Sequence, residues 1–144
     1  MGDFINIDKE ELSLEHDIPA ESGVVGSVLK KPDLITHVEF MHPSMFDDQS
    51  LSALYWCVEQ LVESGIDEIE DLSIIQKISS SELLSLFGDD VNQLREYIQK
   101  LKMLGTENIG EFIRRCREVA TIDYRESMLD SLYSTMNYVK NTDD

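Results

Sequence analysis

The sequence predicts an all-α fold, a compact multi-helix globular bundle followed by one long protruding helix. Three observations carry that prediction. Apolar residues recur at spacings of three and four from Val24 onward, no alternating β-branched run is bounded by hairpin turns, and the chain after Gly110 contains neither glycine nor proline. With 144 residues, 42% of them hydrophobic, the chain has enough apolar material for one core.

The elements follow in order. Residues 1–17 mix Asp3, Asp8, Glu10, Glu11 and Glu15 with isolated Phe4, Ile5, Ile7, Leu12 and Leu14, show no sustained period and read as a flexible acidic arm. Pro19 suits the first turn of a helix whose stripe is Val24, Val25, Val28 and Leu29, and Pro32 stops it. Asp33 can cap a short second helix with Leu34, Ile35, Val38 and Met41 on its apolar side, ending before Pro43. Asp47 and Asp48 can start a longer one carrying Leu51, Leu54, Tyr55, Val58, Leu61 and Val62, with Gly65 just past its end. Asp71 can cap a helix through Leu72, Ile75 and Ile78, which the serines 79–81 break; Leu83, Leu84, Leu86 and Phe87 add a turn closed by Gly88. Asp89 or Asp90 begins a helix with Val91, Leu94, Tyr97, Ile98, Leu101 and Leu104 on one face, ended at Gly105, with Lys100 and Lys102 near its negative end.

The last stretch is the unusual one. About 30 helical residues would span about 45 Å, longer than a domain of this size needs. Its apolar positions are Ile109, Phe112, Ile113, Cys116, Val119, Ala120 and Ile122, then Leu129, Leu132, Met136 and Val139, and the spacing slips near Asp123 and Arg125, a place for a bend or break. The pattern divides the chain into the arm 1–17, a globular bundle 18–105 and a long helical arm 106–144.

Charge narrows the function classes. Twelve basic and 29 acidic side chains give a formal net charge of −17. Such a chain repels phosphate backbones, which argues against strong nucleic-acid binding and for protein partners with basic surfaces. Cys57 and Cys116 form no C-x-x-C pair, so neither a disulfide framework nor a zinc site is indicated, and a reducing compartment fits. The acidic start has the wrong charge for a signal peptide, and no apolar run approaches the roughly 18 residues of a membrane span, so a cytoplasmic location is expected.

Catalytic chemistry finds little footing. A phosphate loop needs G-x-x-x-x-G-K-[ST], and Gly23 and Gly26 precede Lys30 and Lys31 at the wrong spacing; they read as helix-packing glycines. His37 and His42 flank Pro43 without metal-ligand spacing to Asp47 and Asp48. Asp67, Glu68, Glu70 and Asp71 lack the glycine and alternation of a calcium loop and read as a solvated loop able to meet a basic partner. Cys57, beside Trp56, reads as core, as do most of Tyr55, Trp56, Tyr97 and Phe112. Arg114, Arg115 and Arg117 form the dense basic group, flanked by Glu111 and Glu118 for intrahelical pairing. The expectation is no catalytic, cofactor-binding or metal residue in this chain.

Particular residues carry a resemblance. Ile18, Pro19, Ala20, Glu21, Val24, Val25, Gly26, Val28 and Leu29, then Pro32, Asp33, Leu34 and Ile35, resemble the opening of the N-terminal domain of DnaB-type replicative DNA helicases. Phe46, the helix through Leu54, Tyr55, Trp56 and Leu61, the Glu63, Ser64, Gly65 ending with Ile66, Asp67 and Leu72, and Tyr97, Leu101, Asn108, Ile109, Arg114, Arg115, Arg117 and Glu118 continue it over roughly residues 18–140. Two departures stand out. Asp47 replaces an aromatic, and Leu51 and Ser52 stand where the family has a His-Arg pair, which suggests a phage, plasmid or otherwise distant member.

The resemblance implies a collar domain without ATPase activity. Such domains pair through helical hairpins, assemble as a trimer of dimers in the hexamer, and dock primase and the helicase loader. ATP and magnesium would belong to a separate motor domain, and the chain would end near the hairpin tip, before the returning arm. The rival reading is a stand-alone acidic adaptor or inhibitor that binds a helicase, loader or primase. In either case the long helix requires a partner for its apolar stripe, and the expected dimer interface is Phe112, Ile113, Cys116, Val119, Leu129, Leu132 and Met136.

Overall fold

The computed structural model describes residues 20–66 and 68–142, with side-chain surroundings through Met136. The arm 1–17, Pro19 and Asp67 lie outside the described residues. Among those described, every regular element is helical: α1 (Ala20–Lys30), 3-10 turns at Pro32–His37 and Pro43–Met45, α2 (Gln49–Glu63), α3 (Asp71–Ser80), a 3-10 turn at Leu84–Phe87, α4 (Val91–Leu104) and α5 (Ile109–Thr142).

Helix α1 is the axis of the bundle. Seven consecutive residues, Gly23 to Leu29, are buried, so α1 has no solvent stripe, and it packs against α4, α5 and α2. Its closest neighbour is the end of α4. A Cβ placed on Gly26 would overlap the carbonyl oxygen of Leu101, and one on Gly105 would overlap the Gly26 carbonyl. The two backbones touch there because neither position has a side chain. Beside this contact the buried Ser27 hydroxyl donates to the Gly23 carbonyl at 2.6 Å and accepts from the Thr106 N–H at 2.8 Å. One buried polar group is thereby fully satisfied, and the chain leaving α4 is tied to α1.

The helix ends follow local chemistry. The Asp48 carboxylate accepts from the Leu51 N–H at 3.0 Å, Asp90 from Asn92 at 2.8 Å, and the Asn108 side-chain oxygen from Glu111 at 2.9 Å, each satisfying an amide that has no partner within its helix. Gly65 and Gly88 close their elements at φ 77° and 75°, a left-handed conformation natural to glycine. At the carboxyl end of α4, Arg115 reaches across from α5 and donates to the Leu104 carbonyl at 2.9 Å.

Four expectations need correction. The segment after Pro32 is a 3-10 turn without a side-chain cap from Asp33; Val38 and Met41 are buried beyond its end. Helix α3 begins after Glu70, which makes no side-chain cap, and Asp71 instead pairs with Gln99 and Lys102 of α4. Its buried face is Ile74, Ile75 and Ile78, while Leu72 is exposed, because the turn nearest the loop faces away from α2 and α4. The arm does not begin at residue 106. Phe112, Cys116 and Val119 are buried in the same core as Val24, Leu54 and Ile98, with Ile113 and Ala120 packed against it, so the first three turns of α5 complete the bundle.

Candidate interaction surface

Helix α5 runs without interruption through the slip at Asp123, so the two spacing patterns share one rigid axis. Phe112, Cys116 and Val119 recur at four and three residues and face the core; the same rhythm carries on to Asp123, Glu126 and Asp130. Leu129, Leu132 and Met136 occupy another line. Traced back toward the bundle, that line is Arg125, Thr121, Glu118, Arg114 and Glu111, the solvent side of the proximal half. At about 100° per residue the distal apolar stripe is rotated about 130° from the buried one. The chain's own bundle therefore cannot cover it while α5 is straight.

The seven residues expected at a dimer interface fall into two groups. Phe112, Cys116 and Val119 are fully enclosed and Ile113 half-buried, which removes them from any surface available to a partner. Leu129, Leu132 and Met136 are 55, 54 and 64% exposed. Three residues absent from the expected set extend this stripe: Met128, Tyr133 and Tyr124, exposed as well. Met128 precedes Leu132 by four residues and Tyr133 follows Leu129 by four, a spacing that could have identified them. The exposed Ile122 borders the same face.

Surface relief accompanies the apolarity. Tyr124, Met128 and Leu132 form one row at four-residue intervals, beside a row of the smaller Ser127, Ser131 and Thr135; together they line a shallow channel of about 270 Å³. A ridge beside a trough of small residues is the relief into which a second helix packs.

Electrostatics differ between the sides of α5. On the proximal solvent side, Arg114 pairs with Glu111 at 2.7 Å and Glu118 at 3.8 Å, and Arg115 with Glu111 at 3.2 Å. The hydrogen bond from Arg114 holds the Glu111 carboxyl below its usual range. Exposed pairs of this kind contribute roughly 0 to 1 kcal/mol each. On the bundle side, Asp47 beside Glu126 raises the latter's pKa, with burial, Asp123 and Glu21 adding to the effect. Acids thus gather where α5 passes the start of α1.

Other candidate sites resolve into packing. Cys57 and Cys116 are buried free thiols, pushed up to about 12 by burial, and Cys57 donates weakly to the Ile74 carbonyl. Such thiols are poor nucleophiles. Tyr55 is buried and stacks on Phe46 with ring centroids 5.0 Å apart, while Trp56 and Tyr97 are half-buried. Among the described residues, no group of three or more His, Cys, Asp or Glu side chains is arranged to hold a metal ion, and no helix is long and apolar enough to cross a membrane. The chain matches no family model, no curated protein and no solved structure.

Proposed function

We propose that this chain is an interaction and oligomerisation module working in the cytoplasm, the N-terminal collar domain of a DnaB-type replicative helicase, which self-associates and docks primase and the helicase loader through its surfaces. The observation that carries the reading is the exposed apolar stripe of Leu129, Leu132 and Met136 on the side of α5 turned away from the core-facing line. A rigid helix holding that stripe away from its own domain presents it to another chain. The resemblance in the order Ala20 to Leu29, Phe46, Glu63 to Gly65 and the long final helix supplies the family.

Energetics support a weak dimer. Fully burying a Leu- or Phe-sized side chain contributes roughly 1.5 to 3 kcal/mol. Ile122, Met128, Leu129, Leu132, Tyr133 and Met136 are already about half covered. Six such groups on each of two chains would contribute roughly 9 to 18 kcal/mol, against an association cost of roughly 4 to 15 kcal/mol or more. The balance favours pairing that depends on concentration.

Light scattering over a dilution series tests the oligomerisation part: the mass should rise from one 16.5 kDa chain toward two. A single-chain mass at every concentration would count against it. The encoding gene tests the family part, since an open frame beyond residue 144 leading to G-x-x-x-x-G-K-[ST] is expected of a helicase and a stop codon there is not.

A further inference from the structure

We propose that the apolar notch where α5 leaves the bundle is a seat for the chain's own N-terminal segment, residues 3–8. The notch, about 500 Å³, is formed by Phe40 on one side and Arg117, Ala120, Thr121 and Tyr124 of α5 on the other. Phe40 and Tyr124, 40 and 64% exposed, leave two aromatic walls open to water. Arg117 makes no ion pair among the described residues, although Arg114 and Arg115 close by are both engaged. Aromatic walls beside an uncommitted guanidinium suit an apolar residue flanked by a carboxylate. The sequence Asp3, Phe4, Ile5, Asn6, Ile7, Asp8 has that composition.

Position favours the same occupant. Helix α1 begins at Ala20, and the Glu21 carboxylate is near enough to Glu126 to contribute to its raised pKa. Thr121 lies five residues before Glu126, about 7.5 Å along the helix. The twelve residues from Asp8 to Ala20 can span up to about 40 Å, ample for residues 3–8 to reach the notch from their own α1. The acids Glu21, Asp47, Asp123 and Glu126 at the corner repel the segment's carboxylates and leave Arg117 as the favourable contact. A second apolar groove, by Phe46, Trp56 and Leu86, suits the segment less: the cation beside it, Lys77, already sits 5.5 Å above the Trp56 ring.

A nitroxide attached to Ile7→Cys in the full-length chain tests the seat, since the two native thiols are buried. Amide signals of residues 39–41 and 117–124 should lose most of their intensity within the labelled molecule. They should keep it when a spin-labelled, isotopically silent chain is mixed with an isotope-labelled one that carries no nitroxide, and should recover it in the Arg117→Glu variant. Broadening centred on Trp56 and Leu86, spread evenly over the surface, or unchanged by Arg117→Glu would overturn the proposal. Broadening seen only in the mixed sample would assign the notch to a second copy and overturn it equally. Dimerisation through Leu129 and Leu132 is read separately, so either idea can fail alone.

Discussion

Adding one methyl group at Gly26 sets two effects of opposite sign against each other. In a helix interior alanine is favoured over glycine by about 0.8 to 1.0 kcal/mol, so on propensity alone Gly26→Ala should stabilise α1. The new Cβ, however, would overlap the Leu101 carbonyl oxygen and lie 2.9 Å from its carbon and 3.1 Å from the Gly105 nitrogen. All three are backbone atoms, so no side chain can swing aside, and α1 must move away from α4. Overpacking of this kind costs about 1 to 3 kcal/mol or more. The same shift stretches the hydrogen bond from the Thr106 N–H to Ser27, whose loss costs roughly 0.5 to 1.5 kcal/mol. Steric and hydrogen-bond losses exceed the propensity gain, and the net expectation is a destabilisation of about 2 to 4 kcal/mol. Gly23→Ala is the control: its Cβ meets only the flexible Arg115 side chain, at 3.2 Å, so it should stay within about 1 kcal/mol of the parent. Urea unfolding followed by helical circular dichroism measures both. A Gly26→Ala protein as stable as the parent, or a Gly23→Ala protein equally damaged, would refute the reasoning.

Three further outcomes are expected. Phe112→Ala should cost about 3 to 5 kcal/mol in urea melts because its ring is fully enclosed. Leu129→Ala, measured on dilute chains, should stay within about 0.5 kcal/mol; equal losses would place both residues in one core. A thiol reagent at neutral pH should leave Cys57 and Cys116 untouched until the chain unfolds. Because their folded pKa values exceed the ordinary 9.0, the native state keeps protons that the unfolded chain releases, and stability should fall as pH rises above that value. Glu126 is also raised, from 4.5, so its charge opposes the folded state at neutral pH and ceases to as pH falls through the raised value and on below 4.5. Glu126→Gln should raise the melting temperature at pH 7 and not at pH 3; the reverse order would exclude the repulsion from Asp47.

Much of the fold was legible because it rests on local chemistry. Apolar periodicity located α2, α4 and α5, and the Asp48 and Asp90 caps and the Gly65 and Gly88 closures belong to residues a few positions away. What escaped is nonlocal. The link from Ser27 to Thr106 spans 79 positions, and the Asp71 partners lie in another helix, so neither leaves a spacing signal. In α5 the slip near Asp123 was visible, but its meaning was not. A change of apolar rhythm marks equally well a break in the helix or a change of the face that is covered. The second holds here, which is why Phe112, Cys116 and Val119 belong to the core while Leu129, Leu132 and Met136 stand open.

The central claim is that the distal stripe of α5 is where this chain meets another, and replacing both Leu129 and Leu132 with Asp tests it most directly. Both side chains are more than half exposed, so the folded bundle keeps Phe112, Cys116 and Val119 in its core and loses none of its own packing. Light scattering combined with circular dichroism should find the double mutant helical and at the mass of one 16.5 kDa chain, at concentrations where the parent approaches two. A dimer mass unchanged by the substitutions would contradict the account, as would a double mutant that no longer folds.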